Sequence, residues 1–258
     1  MKKSIALWNY GENQVENARL FREAGFEAFS FLGRYFDDHT PAMDEATAAC
    51  VEALRAPMTI HHRLPDPQRP EETMAFLRHM EHIRRWQEAY GLLTGLTFDC
   101  TYAPAALAPI LDRVLDLFAF SGVFLACEDH PLTAEEMAQF PRLDRPGVDF
   151  GLLLDAGHMN VRLHGREGAR DEQVARELSR LPLPVREIHL SGNFGARDEH
   201  LAPEEGNFPM RAFIRGLREI GFDGLATIER VPRNEDAWVS RGRAARSMAW
   251  FAEQWDQI

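Results

Sequence analysis

Lysine is nearly absent from this 258-residue chain: Lys2 and Lys3 are the only two, and every other basic residue is an arginine. With no lysine beyond position 3 there is no Schiff-base nucleophile, which excludes covalent aldolase and pyridoxal-phosphate chemistry and leaves carbonyl activation to a metal or to hydrogen bonds. Cysteine is scarce too. Cys50, Cys100 and Cys127 have no C-x-x-C spacing, so neither a disulfide framework nor a cysteine zinc site is indicated, and a reducing compartment fits. No run approaches the roughly 20 apolar residues of a membrane-spanning helix. The apolar run Ile5 to Trp8 ends at Asn9, too early for a signal peptide. The expectation is a soluble, cytoplasmic protein with no membrane partner. Neither a glycine-rich dinucleotide fingerprint nor a P-loop occurs, so no nucleotide cofactor is implied. Basic residues (29) are outnumbered by acidic ones (40), and the net charge of −11 repels phosphate backbones, making nucleic acid a disfavoured partner.

What is present is an alternation. Short apolar, β-branched or aromatic runs recur at Ser4–Trp8, Phe26–Phe31, Met58–His62, Leu93–Phe98, Val123–Glu128, Phe150–Asp155, Val185–Leu190 and Leu225–Glu229. Between them lie amphipathic stretches such as Gln14 to Ala24, Met43 to Leu54, Glu71 to Tyr90 and Pro104 to Phe118, with apolar residues three and four apart. Gly25, Gly91 and Gly221 follow helical stretches, where glycine makes the easiest left-handed cap. Eight strands alternating with helices predict an α/β protein, a single (β/α)₈ barrel over residues 1–258. The clusters Leu64-Pro-Asp-Pro and Leu181-Pro-Leu-Pro are too short to be domain linkers.

In such a barrel the active site forms at the C-terminal strand ends. Strands five to eight end in Glu128, Asp155, His189 and Glu229. One acidic strand end is readily explained by capping of the next helix or pairing with an arginine. Four in succession are not, because three clustered carboxylates repel one another unless a cation is bound. Carboxylate oxygens with an imidazole suit Mn²⁺, Zn²⁺, Co²⁺ or Mg²⁺.

The motifs L-L-L-D-A-G-H ending at His158, I-H-L-S-G-N from Ile188, D-E-H ending at His200 and G-F-D-G-L-A-T-I-E ending at Glu229 resemble the xylose-isomerase-like TIM barrels, a family that includes sugar isomerases and epimerases, inosose dehydratase and endonuclease IV. The resemblance covers most of the chain. It implies that Glu128, Asp155, His189 and Glu229 are shared metal ligands and that Glu128 and Glu229 also move the proton through a metal-stabilised enediolate. It implies a small-molecule substrate, a sugar or other polyhydroxylated carbonyl compound, and the family's members often associate through their helical faces.

Around that core, His62, His158 and Arg197 are the expected substrate contacts. His61 and His62 are neighbours on a strand, so only one can face the barrel mouth; His62 is favoured and His61 is expected against the helix layer. His158, Asp198 and His200 resemble the extra metal cluster of endonuclease IV and are the candidates for a second metal site. Against a full three-metal arrangement, strand four ends in Asp99 where that resemblance would place a histidine. His130 and His164 are expected on the surface. Trp8, Phe31, Tyr35, Tyr102 and Phe194 are candidates for an apolar wall against a sugar ring. At Pro203-Glu204-Glu205-Gly206-Asn207 only the second glycine of the family's Gly-x-Gly remains, which leaves substrate identity open. The leading expectation is a metal-dependent isomerase or epimerase, with dehydratase chemistry adjacent. The alternatives are a multi-metal phosphodiesterase and a metal-binding member that acts on a peptide or a partner.

Overall fold

The computed structural model describes residues 1–11, 13–37, 39–129, 132–140, 146–163 and 169–258. His130 and His164 lie outside them. Eight parallel strands close into a barrel in sequence order: β1 Lys2–Ala6, β2 Ala28–Leu32, β3 Met58–Arg63, β4 Leu93–Asp99, β5 Phe124–Glu128, β6 Asp149–Asp155, β7 Val185–Leu190 and β8 Leu225–Ile228. The ring is sealed where Lys2 and Ile5 of β1 pair with Leu225 and Ile228 of β8. Around it run α1 Gln14–Glu23, α2 Pro41–Leu54, α3 Pro70–Tyr90, α4 Pro104–Phe118, α5 Ala134–Met137, α6 Ala156–Leu163, α7 Asp171–Leu178, α8 Met210–Glu219 and α9 Ala237–Asp256. No described helix is long and apolar enough to cross a membrane.

Strands buried on both faces explain the near-continuous apolar runs. Outward residues such as Phe29, Phe31, Ile60 and Phe98 join the layer beneath the helices, which also takes in Phe21, Phe76 and Phe213. Local chemistry sets the helix starts. Thr40 Oγ1 accepts from Met43 N at 3.3 Å ahead of Pro41. Asp236 Oδ1 accepts from Val239 N at 2.8 Å to begin α9. The proline at the first position of α2 and of α3 moves both starts ahead of the apolar periodicity that marked them in the sequence. Gly91 closes α3 at φ 67°.

β1 stops at Ala6 rather than Trp8, because Leu7–Tyr10 winds into a 3₁₀ turn and swings the Trp8 indole over the C-terminal mouth. β2 is likewise followed by a 3₁₀ turn, Gly33–Phe36, which carries the chain across the outer wall to α2. Along every strand alternate side chains face the barrel axis. On β3 and β7 this places Thr59 and His61, and Glu187 and His189, on the inner face.

Candidate metal centre

The polar strand ends converge. Glu128 closes β5, Asp155 closes β6, His189 is the penultimate residue of β7 and Glu229 directly follows β8. One ligand atom each from Glu128, Asp155 and His189 lie within 4.8 Å of one another. His189 Nδ1 is 2.8 Å from Glu229 Oε2 and 4.0 Å from Asp155 Oδ2. All four residues are buried.

Asp155 divides its two oxygens between two jobs. Oδ1 accepts from His158 N at 2.7 Å and from Ser191 Oγ at 3.4 Å, capping the first turn of α6. Oδ2 is buried and accepts no hydrogen bond among the described residues. A buried carboxylate oxygen without a donor is costly, and a bound cation is the simplest partner for it. The arginine pairing that explains many buried acids is made instead by the neighbouring Asp129, whose Oδ2 accepts from Arg162 Nη1 at 3.0 Å and whose Oδ1 accepts from Asp155 N at 2.9 Å.

The second expected group also assembles. His158, Asp198 and His200 each offer a ligand atom within 4.8 Å of the others. The two groups are continuous. His158 Nδ1 is 3.0 Å from Glu128 Oε1, and its Nε2 is 3.2 Å from Asp198 Oδ2. The same Asp198 oxygen lies 2.5 Å from His200 Nε2, and His200 Nδ1 is 3.2 Å from the Glu229 carbonyl oxygen.

The electrostatics follow from burial. Desolvation pushes the Glu128 and Asp155 carboxyls above the ordinary range. Burial opposes charge on His189 and His158 as well, but Glu229 and Glu187 hold a proton on His189, and Asp155, Asp198 and Glu128 hold one on His158. His200 is raised to about 10, Asp198 outweighing its desolvation. Against its own burial, Glu229 is held below the usual carboxylate range by His189 and His200. Without metal, imidazolium protons balance the carboxylates. A divalent ion would take over that role, and the mixed oxygen and imidazole donors fit Mn²⁺, Zn²⁺, Co²⁺ or Mg²⁺.

Two expectations are corrected, the orientation of His61 and His62 and the extent of the aromatic wall, and Arg197 stands apart from the ligand group. His61, not His62, faces the mouth: its Nδ1 is 2.9 Å from Thr97 Oγ1, its Nε2 is 3.9 Å from Glu128 Oε2, and its ring stacks on Trp8 at 5.4 Å and 17°. Burial, with His189 nearby, pushes His61 down to about 3, so it stays neutral. His62 faces outward against Phe76 and His79 of α3, with ring centroids at 5.2 and 5.0 Å. The alternation of the strand allows one inward histidine, and the register of Thr97 beside His61 decides which. Arg197 is 76% exposed and pairs with Glu199 Oε1 at 3.3 Å, so its loop turns it toward solvent. Of the aromatic wall, Trp8 alone meets the site histidines, standing 6.2 Å from His189 as well. Phe31 is buried beside Tyr35 and Phe36 under the helices, Tyr102 sits by Arg63 and Asp66, and Phe194 is exposed.

Glu187 escaped the sequence argument. It lies two residues before His189 on the same inner face, with Oε1 3.6 Å from His189 Nε2, and the i, i+2 spacing in V-R-E-I-H-L was the available signal. The surviving Gly206 has a steric reason, since a Cβ there would sit 2.5 Å from the Asn193 carbonyl oxygen. Glu204, where the family's first glycine would stand, accepts instead from Ser247 Oγ at 3.0 Å.

The sequence model of the xylose isomerase-like TIM barrel family matches residues 18–254. No curated protein matches in sequence. Among solved structures, the chain is similar to a D-tagatose 3-epimerase-like protein, with a TM-score of 0.78 and 16% identity over 100% of this chain and 99% of the other. It is similar to a D-psicose 3-epimerase solved in the presence of D-fructose, with a TM-score of 0.73 and 15% identity over 99% of each chain. A 3-keto-D-glucoside 4-epimerase from E. coli gives a TM-score of 0.72 and 18% identity over 98% of this chain and 99% of that one.

Proposed function

Because the chain belongs to the xylose isomerase-like TIM barrel family, we propose that it is a divalent-metal-dependent epimerase or isomerase of a small polyhydroxylated carbonyl compound. The observation that carries this reading is the arc of Glu128, Asp155, His189 and Glu229 on four successive strands, with a glutamate at each end and a donorless oxygen of Asp155 between them. These four residues would hold the ion, which when bound supplies the Lewis acidity that acidifies a carbon next to a carbonyl.

The chain's own groups do the rest. Glu229, which His189 and His200 hold ionised in the metal-free chain and which the ion would hold so once His189 gives up its proton, accepts the proton from carbon. Glu128, raised by burial and in contact with His158, returns a proton at the other end of the arc. Two carboxyls driven apart in proton affinity divide the roles of base and acid. The Trp8 face, braced by His61, forms an apolar wall for a sugar ring. The three relatives described above are epimerases or epimerase-like by name, which favours a ketose or a keto-sugar as substrate. Dehydration would begin with the same proton abstraction.

Solvent-deuterium incorporation into a panel of ketohexoses, with Mn²⁺ or Co²⁺ added, tests the reading. Glu229→Gln and Glu128→Gln are each expected to lower exchange by about 10²–10⁴-fold. Exchange that survives both substitutions, or native protein that retains no ion at the mouth, overturns it. The group His158, Asp198 and His200 favours a second reading, a multi-metal phosphodiesterase, which the net charge of −11 opposes. Salt-sensitive binding of abasic-site DNA would be its signature.

A further inference from the structure

On the outer wall, away from the mouth, a cavity of about 570 Å³ opens between the 3₁₀ turn after β2 and helix α3. Its lining includes His39, His62, His79 and His82 together with Asp37. Four of the chain's ten histidines therefore meet at one place that the proposed reaction does not use.

Within it, Asp37, His62 and His79 each present a ligand atom within 4.8 Å of the others. Asp37 Oδ1 and His79 Nδ1 stand 3.2 Å apart. Two donors bound at about 2.0–2.1 Å around a tetrahedral zinc ion are separated by about 3.3 Å, so this pair already has the spacing of one edge of a coordination tetrahedron. His62 is oriented in the way metal-bound histidines usually are. Its Nδ1 lies 2.9 Å from the Arg63 carbonyl oxygen, a bond in which Nδ1–H donates and Nε2 is left with its lone pair. The ring cannot swing away, because it fills the space over Gly33, where a Cβ would come within 2.1 Å of the imidazole, and Phe76 packs on it edge-on.

The other two histidines brace the cavity. Asp44 of α2 takes His39 Nδ1 at 2.9 Å on one carboxylate oxygen and His82 Nε2 at 3.3 Å on the other. The His39 side chain is fully buried, and its Nε2 has no hydrogen-bond partner among the described residues. We propose that Asp37, His62 and His79 form a second, outer-wall binding site for a divalent transition-metal ion of the zinc type, with a water or a bracing histidine completing the shell. Two imidazoles with one carboxylate select borderline ions such as Zn²⁺ over Mg²⁺ or Ca²⁺. Protons compete little for this site: burial lowers His62, and burial together with His62 and His82 pushes His79 down to about 3, so both rings are neutral ligands at physiological pH. An ion there ties the turn after β2 to β3 and α3, one residue along β3 from the His61 that faces the mouth.

The test uses the untagged 258-residue chain, stripped of metal and titrated with Zn²⁺ against a chromophoric chelator, with the Asp155→Asn protein also carrying His200→Asn so that both ligand groups at the mouth are silenced. This double variant is expected to keep one tightly held Zn²⁺. Adding Asp37→Asn or His79→Gln is expected to weaken that ion by about 100-fold or more, at or beyond the upper end of what losing an outer-shell partner costs. Asp37 is half exposed, so the circular dichroism of metal-free Asp37→Asn should match wild type. X-ray absorption of the ion in the double variant should show imidazole ligation. A double variant that binds no Zn²⁺, or one whose ion is indifferent to both Asp37→Asn and His79→Gln, overturns the proposal. Failure of the mouth to bind metal would instead leave the wild type holding a single ion that depends on Asp37.

Discussion

Thr227 Oγ1 donates to Glu187 Oε1 at 2.5 Å across the inner faces of β8 and β7, and the same carboxylate oxygen lies 3.6 Å from His189 Nε2. Glu187 is thus a buried carboxyl beneath a candidate ligand, fixed by a hydroxyl from the strand that leads into Glu229. Partners of this kind set the orientation and basicity of a metal-bound imidazole. Glu187→Gln keeps the shape and replaces the carboxyl with an amide. It is expected to weaken Mn²⁺ or Co²⁺ binding at the mouth by about 10–100-fold with little loss of fold. Titration calorimetry checks this, and unchanged affinity would reduce Glu187 to a packing residue.

Metal binding at the mouth should release protons. In the metal-free chain the carboxylates Glu128, Asp155, Asp198 and Glu229 are balanced by protons held on His158, His189 and His200. An ion that takes His189 as a ligand must displace its proton, so at neutral pH about one proton or more should leave per ion bound, and affinity should rise with pH. Calorimetry in buffers of different ionisation enthalpy measures the count. A pH-independent affinity with no proton released would contradict the charge balance described here.

Gly157, in the A-G-H turn after β6, has no room for a side chain. A Cβ would lie 2.2 Å from Ser191 Oγ, 3.0 Å from Asn193 Nδ2 and 3.0 Å from Asp155 Oδ1. Two of these atoms position Asp155 and the third holds the loop after β7, since Asn193 Nδ2 donates to the Gly157 carbonyl at 2.8 Å. Gly157→Ala is expected to cost about 1–3 kcal/mol of stability from overpacking and to weaken mouth metal binding. Gly95→Ala is the control. It would crowd the Phe124 ring at 2.2 Å, away from the metal centre, and should lower the melting temperature while leaving metal affinity alone.

The barrel was legible because the strands are largely apolar runs buried on both faces and most of the described helices are amphipathic stretches with caps or prolines at their starts. The arc of Glu128, Asp155, His189 and Glu229 was legible because four successive strands end in or beside a polar ligand residue, which helix capping or arginine pairing explains one at a time but not four together. The orientation of His61 and His62 was not. Adjacent residues on a strand differ only by phase, and the phase of β3 is set by its register with Thr97 of β4, a contact 36 residues away in sequence. The outward course of Arg197 was not legible either, since the loop between β7 and α8 is held by Asn160, whose Nδ2 reaches Asn193 Oδ1 at 2.8 Å and Asn207 Oδ1 at 2.9 Å. The outer-wall histidines come from a turn, a strand and a helix, and no spacing along the chain joins them.

His200 gives the stability of the metal-free protein a defined pH dependence. Its backbone is left-handed, at φ 46°, a conformation asparagine also tolerates, so His200→Asn removes the imidazole with little backbone strain. Burial opposes its charge, but Asp198 at 2.5 Å, with Glu229 and Asp155 nearby, raises the folded-state value to about 10 from the ordinary 6.5. A raised value in the folded state means that the proton favours folding. The contribution is present in full below pH 6.5 and is lost as pH climbs toward about 10. The melting temperature of metal-free wild type should therefore exceed that of His200→Asn most clearly below pH 6.5, and the gap should close as pH approaches 10. A gap that stays constant or widens over that window would mean that His200 and Asp198 meet as neutral imidazole and carboxylate, and the charge balance at the mouth would then rest on His158 and His189 alone.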